Sequence, residues 1–262
     1  MPREQFFYDE NRDHIGLLDE AARRSGLSRG QVFDDFLHMG VCALSGGQLE
    51  DQYMQIVGKY SEGKNGKRAC DTLARLFGSV VNSMEDTRDG IRDILGDLFQ
   101  GGITYGENGQ YLTPDAITLL MGQLTTGDED DGKRKSVCDP CVGSGRMLLS
   151  VAEKHRNWEF IGQDVDIRCV RMTAINLALR NLYGWVIHGN SLHLEQKLAY
   201  RTGFNGRGFI REVPTESCPY PVNSMTDDEL SESSREKPSV LDIRESQQSS
   251  DVPLPRQRNL FD

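Results

Sequence analysis

The stretch SVCDPCVGSGRML, residues 136–148, lies at the middle of a 262-residue chain and decides how the rest is read. Ser136-Val-Cys-Asp139 has the length and composition of a short strand, and SGRMLLSVAEKH that follows has helical spacing. Between them, Asp139-Pro140 and Gly143-Ser144-Gly145 make a tight strand-to-helix turn. Three chemistries use such a turn. A metal site could use Cys138 and Cys141, but a CxxC pair is normally matched by a second pair. None is present, and two small, partly buried residues are the plainer reading. A phosphate loop needs GxxxxGK[ST], and no lysine follows Gly145. A dinucleotide fingerprint needs a third glycine where Leu148 stands. The remaining reading is a cofactor floor. Glycines let a ligand approach the backbone, and a carboxylate at the strand tip meets a cationic group.

Working outward, the alternation continues. WEFIGQD reads as a second strand, DIRCVRMTAINLALRNL as a long helix and WVIHGN as a third strand. This β-α-β-α-β order implies a parallel sheet with right-handed crossovers. The second strand ends at Asp164, where an acid can accept hydrogen bonds from two ribose hydroxyls. The third ends at Gly189-Asn190, where an amide can pair with a base edge. A ligand with a positive centre, a ribose and a base fits these three tips, and S-adenosylmethionine has all three.

The rest of the chain sets the frame. Residues 1–100 read as a helical N-terminal domain, including LLDEAARRSGLSRGQVFDDFLHMGVCAL, with a break at Gly26 and an N-cap at Ser28. A connector and a short helix follow, TPDAITLLMGQL, with Thr113 as its N-cap. Residues 101–214 read as the cofactor-binding domain and 215–262 as a disordered acidic tail. The net charge is −10, with ten acidic and five basic residues from Thr215 to Asp262. That balance argues against a protein that coats DNA through a general positive field. No stretch is apolar enough for a membrane span and the N-terminus is charged, so a cytoplasmic protein is expected. Six scattered cysteines need no disulfide framework there.

At this point the sequence resembles a known family. DPCVGSGRML is similar to the first motif of adenine-N6 DNA methyltransferases, whose usual form is DPxxGSGxxL. The likeness is nearest to the modification subunit of type I restriction systems. It extends upstream through DILGDLFQ and NGQYLTPDAITLLMGQL, and downstream through IGQDVDIRCVRMTAINLAL and HGNSL. The resemblance implies a Rossmann-like methyltransferase core with a truncated parallel sheet, preceded by the helical domain. It implies that Thr113 and Pro114, with Tyr111 beside them, hold the cofactor's amino-acid end. Asp139, Pro140, Gly143 and Gly145 form the floor, Asp164 takes the ribose with Asp166 nearby, and Asn190 meets the base. The implied activity is methyl transfer to adenine in DNA, within a restriction-modification complex. The alternative is a non-catalytic cofactor-binding subunit. A reading of Asp139 and Asp164 as mere helix caps is the bland counterpart.

The family's catalytic Asn/Asp-Pro-Pro-Tyr/Phe motif has no match. None of the nine prolines is followed by another. Cys218-Pro219-Tyr220 and Pro221-Val222-Asn223 have the wrong order, so no catalytic residue is assigned. Past Asn190 only FNGRGFIREV promises a further strand, which leaves one sheet edge open. A second chain that completes the sheet is therefore expected. Two lesser signals remain. Arg23, Arg24 and Arg29 sit in a segment with helix-turn-helix or ribbon-helix-helix spacing, against the simpler reading of a helical hairpin. Gln257, Leu260 and Phe261 resemble the short peptide that docks on bacterial sliding clamps.

Overall fold

The computed structural model describes residues 4–84, 90–104, 112–113, 115–126, 133–203 and 209–220. The chain opens with four helices, α1 (Asn11–Ser25), α2 (Arg29–Ala43), α3 (Glu50–Gly58) and α4 (Ala69–Ser83). The junction of α1 and α2 follows from two residues. Gly26 adopts φ +72° and returns its N–H to the Ala22 carbonyl, which ends α1. Ser28 then starts α2 with a reciprocal capping box to Gln31.

Helix α2 is buried along most of its length, with Val32, Phe33, Phe36, Leu37 and Val41 inside. A fully buried Phe or Leu contributes roughly 1.5–3 kcal/mol relative to exposure. Phe33 stacks on Phe99 at 5.7 Å between ring centroids. Helix α2 keeps its apolar face in the core, and its partly exposed face carries Gln31, Asp34, Asp35 and His38. Arg24 pairs with Glu20, and Arg29 pairs with Glu4 and Asp19, so both are engaged within the helical region.

Helix α5 (Ile94–Phe99) is wholly buried, and the chain continues from it as a π-helical turn over Gln100–Thr104. Helix α6 (Asp115–Thr126) precedes the sheet, and α7 (Arg146–Ala152) and α8 (Ile167–Leu179) lie between its parallel strands. These strands are β1 (Ser136–Asp139), β2 (Glu159–Asp164) and β3 (Gly184–His188), joined in parallel in that order.

The chain then does something the pattern did not announce. Strand β4 (Leu198–Thr202) pairs antiparallel with β3, and β5 (Ile210–Val213) pairs antiparallel with β4. FNGRGFIREV does supply β5, but β4 was not foreseen. The sheet is therefore mixed: three parallel strands extended by an antiparallel hairpin. Both added strands lie beyond β3, so β1 remains an outer strand.

One hydrophobic core runs from Ile15 to Ile210 and joins the N-terminal helices to the face of the sheet bearing Phe160, Val186 and Tyr200. Gly40 of α2 permits close approach to α8, since a Cβ there would stand 3.0 Å from Ile175 Cδ1. The opposite face carries a smaller cluster of Ile161, Trp185, Ile187 and Ala199 with Cys218. Thr215–Ser217 form a short 3-10 turn and Cys218 is buried, so residues up to 220 fold against the sheet. Residues 221–262, including Gln257, Leu260, Phe261 and Pro221-Val222-Asn223, lie outside the described residues. Among the described residues, no helix is long and apolar enough to cross a membrane.

Helix α6 is mounted with an unexpected face inward. Thr118 and Gly122 pack on α7, where Ser150 Oγ donates to the Thr118 carbonyl at 3.0 Å. Ile117, Leu120, Met121 and Leu124, at helical spacing, are exposed by 49, 54, 41 and 73%.

Candidate functional site

The C-terminal tips of β1, β2 and β3 converge on one cavity of about 420 Å3, where open α/β sheets bind ligands. Asp139, Asp164 and Asn190 all line it, with Thr113, Pro140 and Gly143. Gly145 lies beneath the floor as the N-cap of α7. Tyr111 and Pro114 fall outside the described residues.

The floor is built by backbone geometry. Gly143 and Gly145 adopt φ +57° and +89°, a region costly for any residue with a Cβ. A Cβ on Gly143 would also come within 2.8 Å of Leu112 Cδ2. The loop is pinned on both sides: Gly143 N–H donates to Asp164 Oδ2 at 3.0 Å, and Thr173 Oγ1 donates to the Gly143 carbonyl at 2.9 Å.

Asp164 therefore has a structural role alongside any ligand role. Its Oδ1 accepts from Asp166 N–H at 2.9 Å. A carboxylate has about four acceptor sites, so two remain for hydroxyls. Neither Asp139 nor Asp164 caps a helix. That role belongs to Asp166, whose Oδ1 accepts from Arg168 N–H at 2.9 Å to start α8. Asp166 also grips the Arg168 guanidinium at 2.6 Å and is not among the lining residues. Its carboxylate thus holds the start of α8.

Asp139 is the least satisfied acid here. Its one hydrogen bond comes from Cys141 N–H at 3.1 Å. Burial pushes its pKa above the ordinary carboxylate value, and the Asp164 charge adds to the rise against the Cys141 hydrogen bond. At the third tip, Asn190 Oδ1 accepts from Leu192 N–H at 3.0 Å, which leaves its Nδ2 to donate. Val165 and Leu192, 65 and 90% exposed, belong to the same lining and offer flat apolar surface near Asp164 and Asn190.

Sequence reasoning missed the support behind this loop. Asp93, 1% exposed, accepts from Ser144 Oγ at 2.5 Å, Arg146 Nε at 3.0 Å, Asn176 Nδ2 at 3.1 Å and Gly96 N–H at 3.0 Å. Arg146 Nη1 donates in turn to the Thr113 carbonyl at 3.0 Å. A Cβ on Gly96 would lie 2.1 Å from Asp93 Oδ2, so this packing requires glycine. Phe99 also lines the cavity, under the Arg168 guanidinium at 5.0 Å.

Cys138 and Cys141 are free thiols. Cys218-Pro219-Tyr220, the nearest fragment to a catalytic motif, is away from the cavity. Tyr220 hydrogen-bonds Glu159, the first residue of β2, while the cavity is at that strand's last residue. Burial and Glu159 push the Tyr220 hydroxyl pKa well up.

Residues 91–204 match the N-6 DNA methylase family, a span from just before α5 to the end of β4. Among solved structures, the methyltransferase subunit of a type I restriction-modification system from Streptococcus thermophilus is 13% identical, with a TM-score of 0.35. The likeness covers 66% of this chain and 56% of that one, so this chain spans little more than half of that protein's length. No curated protein sequence matches the chain.

Proposed function

We propose that this chain, whose residues 91–204 match the N-6 DNA methylase family, binds S-adenosylmethionine and serves methylation of adenine in DNA. One observation carries this reading: two carboxylates and an amide at successive strand tips face one cavity above a loop of left-handed glycines. Asp139 and Asp164 place negative charge where a sulfonium cation would rest. Asp164 retains acceptor sites for ribose hydroxyls. Asn190 Nδ2 can donate to a ring nitrogen between Val165 and Leu192. Bound there, the cofactor supplies an electrophilic methyl group. The chain's own part is to orient it and to exclude water.

The chemistry on adenine needs groups to hold the target amine, and the described cavity lining has no such set beyond the cofactor's own contacts. Polypeptide beyond the described residues that completes the site is therefore part of the reading. Its support is the outer edge of β1 and the exposed apolar stripe of α6. Helix α7 contacts both α8 and α6, so α6 stands on the β1 side of the helical layer. A strand added beside β1 would meet both the open edge and the stripe. The rival reading is a cofactor-binding subunit that never transfers methyl groups, in a DNA-associated restriction-modification assembly.

Purified chain, mixed with methyl-labelled cofactor and adenine-containing duplex, separates the two readings. Saturable binding with label in DNA supports the enzyme. Binding without label in DNA, with or without a candidate partner subunit, retires it. Absence of binding removes both.

A further inference from the structure

We propose that Asn190 makes the base end of the cavity selective for a purine ring nitrogen and indifferent to the exocyclic amine. The inference rests on reading the cavity as an S-adenosylmethionine site and concerns which atoms of its base are recognised. Asn190 stands just past β3 and lines the cavity with Val165 and Leu192. Its Oδ1 accepts from Leu192 N–H at 3.0 Å. Only the oxygen of an amide can meet a backbone N–H, so this contact fixes which arm of the side chain is which. The oxygen is turned into its own loop, and the planar amide presents Nδ2 on the other arm. Nδ2 donates to none of the described residues.

The loop that holds this amide is closed on itself. The Asn190 carbonyl accepts from His193 N–H at 3.2 Å and from Glu195 N–H at 3.0 Å. Gly189 admits the returning chain, since a Cβ there would collide with the Glu195 carbonyl. The loop is also tied to β2: Gly189 N–H donates to the Asp164 carbonyl at 3.0 Å, and Gln163 Nε2 donates to the Glu195 carbonyl at 3.2 Å. Turning the amide over would set an N–H against the Leu192 N–H and leave that donor unpaired. The Nδ2 donor is therefore held in place, and what it meets must be an acceptor. Adenine offers its ring nitrogens as acceptors, and its 6-amino group only as a donor.

Base analogues of S-adenosylhomocysteine test this, because that ligand has the same nucleoside and a neutral thioether. The reference compound is titrated beside its 1-deaza, 3-deaza and 7-deaza forms and a form with hydrogen in place of the 6-amino group. In the wild type, one deaza form should bind about tenfold more weakly than the reference, and the form without the amine about as tightly as the reference. Asn190→Asp keeps an oxygen for Leu192 N–H and loses the donor. In that variant the deaza loss should disappear, and removal of the amine should weaken binding instead. All the ligands meet the same added charge, so the comparison among them is unaffected by it. A wild type that binds every deaza form as tightly as the reference overturns the inference. So does one that loses as much affinity without the amine as in any deaza form. Retention of the deaza loss in Asn190→Asp overturns it too, because another group then reads the ring nitrogen. Should Asn190→Asp fail to fold, the wild-type titrations decide alone. A wild type that binds none of the ligands removes the cofactor reading, and the inference with it.

Discussion

Asp93 and Asp139 flank one glycine loop and are used in opposite ways. Asp93 is almost fully buried and receives hydrogen bonds from four donors, among them a guanidinium. Asp139 receives one backbone hydrogen bond, faces a cavity, and shares it with a second carboxylate. A buried carboxylate whose acceptors are filled belongs to the scaffold. An acid with unused acceptors and a like charge nearby is held at a cost to the empty protein. Such a cost is the mark of a site whose remaining partner is a ligand.

Substitutions can break that contrast, and the largest effect should come from Asp93. Asp93→Ala removes the acceptor shared by Gly96, Ser144, Arg146 and Asn176 and breaks a buried ion pair, and urea denaturation should show a loss of about 3–5 kcal/mol. A loss below about 1 kcal/mol would remove Asp93 from the scaffold. Next comes Asp139→Asn, which should leave stability unchanged or raise it by up to about 1 kcal/mol, because it removes a charge that burial and Asp164 disfavour. The same variant should bind S-adenosylmethionine more weakly. Loss of stability with unchanged binding would reverse the roles assigned here.

Acidity sharpens the comparison further. The folded-state pKa of Asp139 is raised, so its contribution to stability is present at low pH and is lost as pH rises through that value. Cofactor affinity should run the other way, falling as pH drops through the same value, since a cation needs the ionised acid. His14, in the N-terminal helices, has the contrary sign. Burial lowers its pKa, and it is held neutral between Asn11 and Ser79. Its stabilising contribution is present above the ordinary histidine value of about 6.5 and is lost as pH falls below it. Melting temperatures between pH 5 and 8 should therefore fall on the acid side, and His14→Asn should flatten that slope. The smallest effect belongs to α6. Leu124→Glu should change stability by less than about 0.5 kcal/mol, whereas Leu148→Ala in the core of α7 should cost about 2–5 kcal/mol. A large cost at Leu124 would mean that the stripe is already covered in the isolated chain.

Much of this was legible in the sequence, for identifiable reasons. Strands β1 to β3 and helices α7 and α8 follow from local patterns, because each parallel strand is a short apolar run and each crossover a helical period. The glycine turn announced itself because its φ values admit little else. β4 did not. LAYRT follows HLEQK, a run of good helix formers, and its inward residues Ala199 and Tyr200 face opposite sides of the sheet. Nor could the pattern show which face of α6 points inward, since ITLLMGQL is apolar nearly all round. Asp93 escaped notice because its partners Ser144, Arg146 and Asn176 are 51, 53 and 83 residues away in sequence. At Asp166 the sequence leaves two roles open, because an acid two residues past a strand tip serves as well for a helix cap as for a ligand.

Calorimetric titration of S-adenosylmethionine into the wild-type chain and into Asp139→Ala puts the convergence of the strand tips to its most direct trial. Saturable binding at one site by the wild type, greatly weakened in the variant, is the result this account predicts. Equal affinity in the two proteins, or no binding by the wild type, would contradict it.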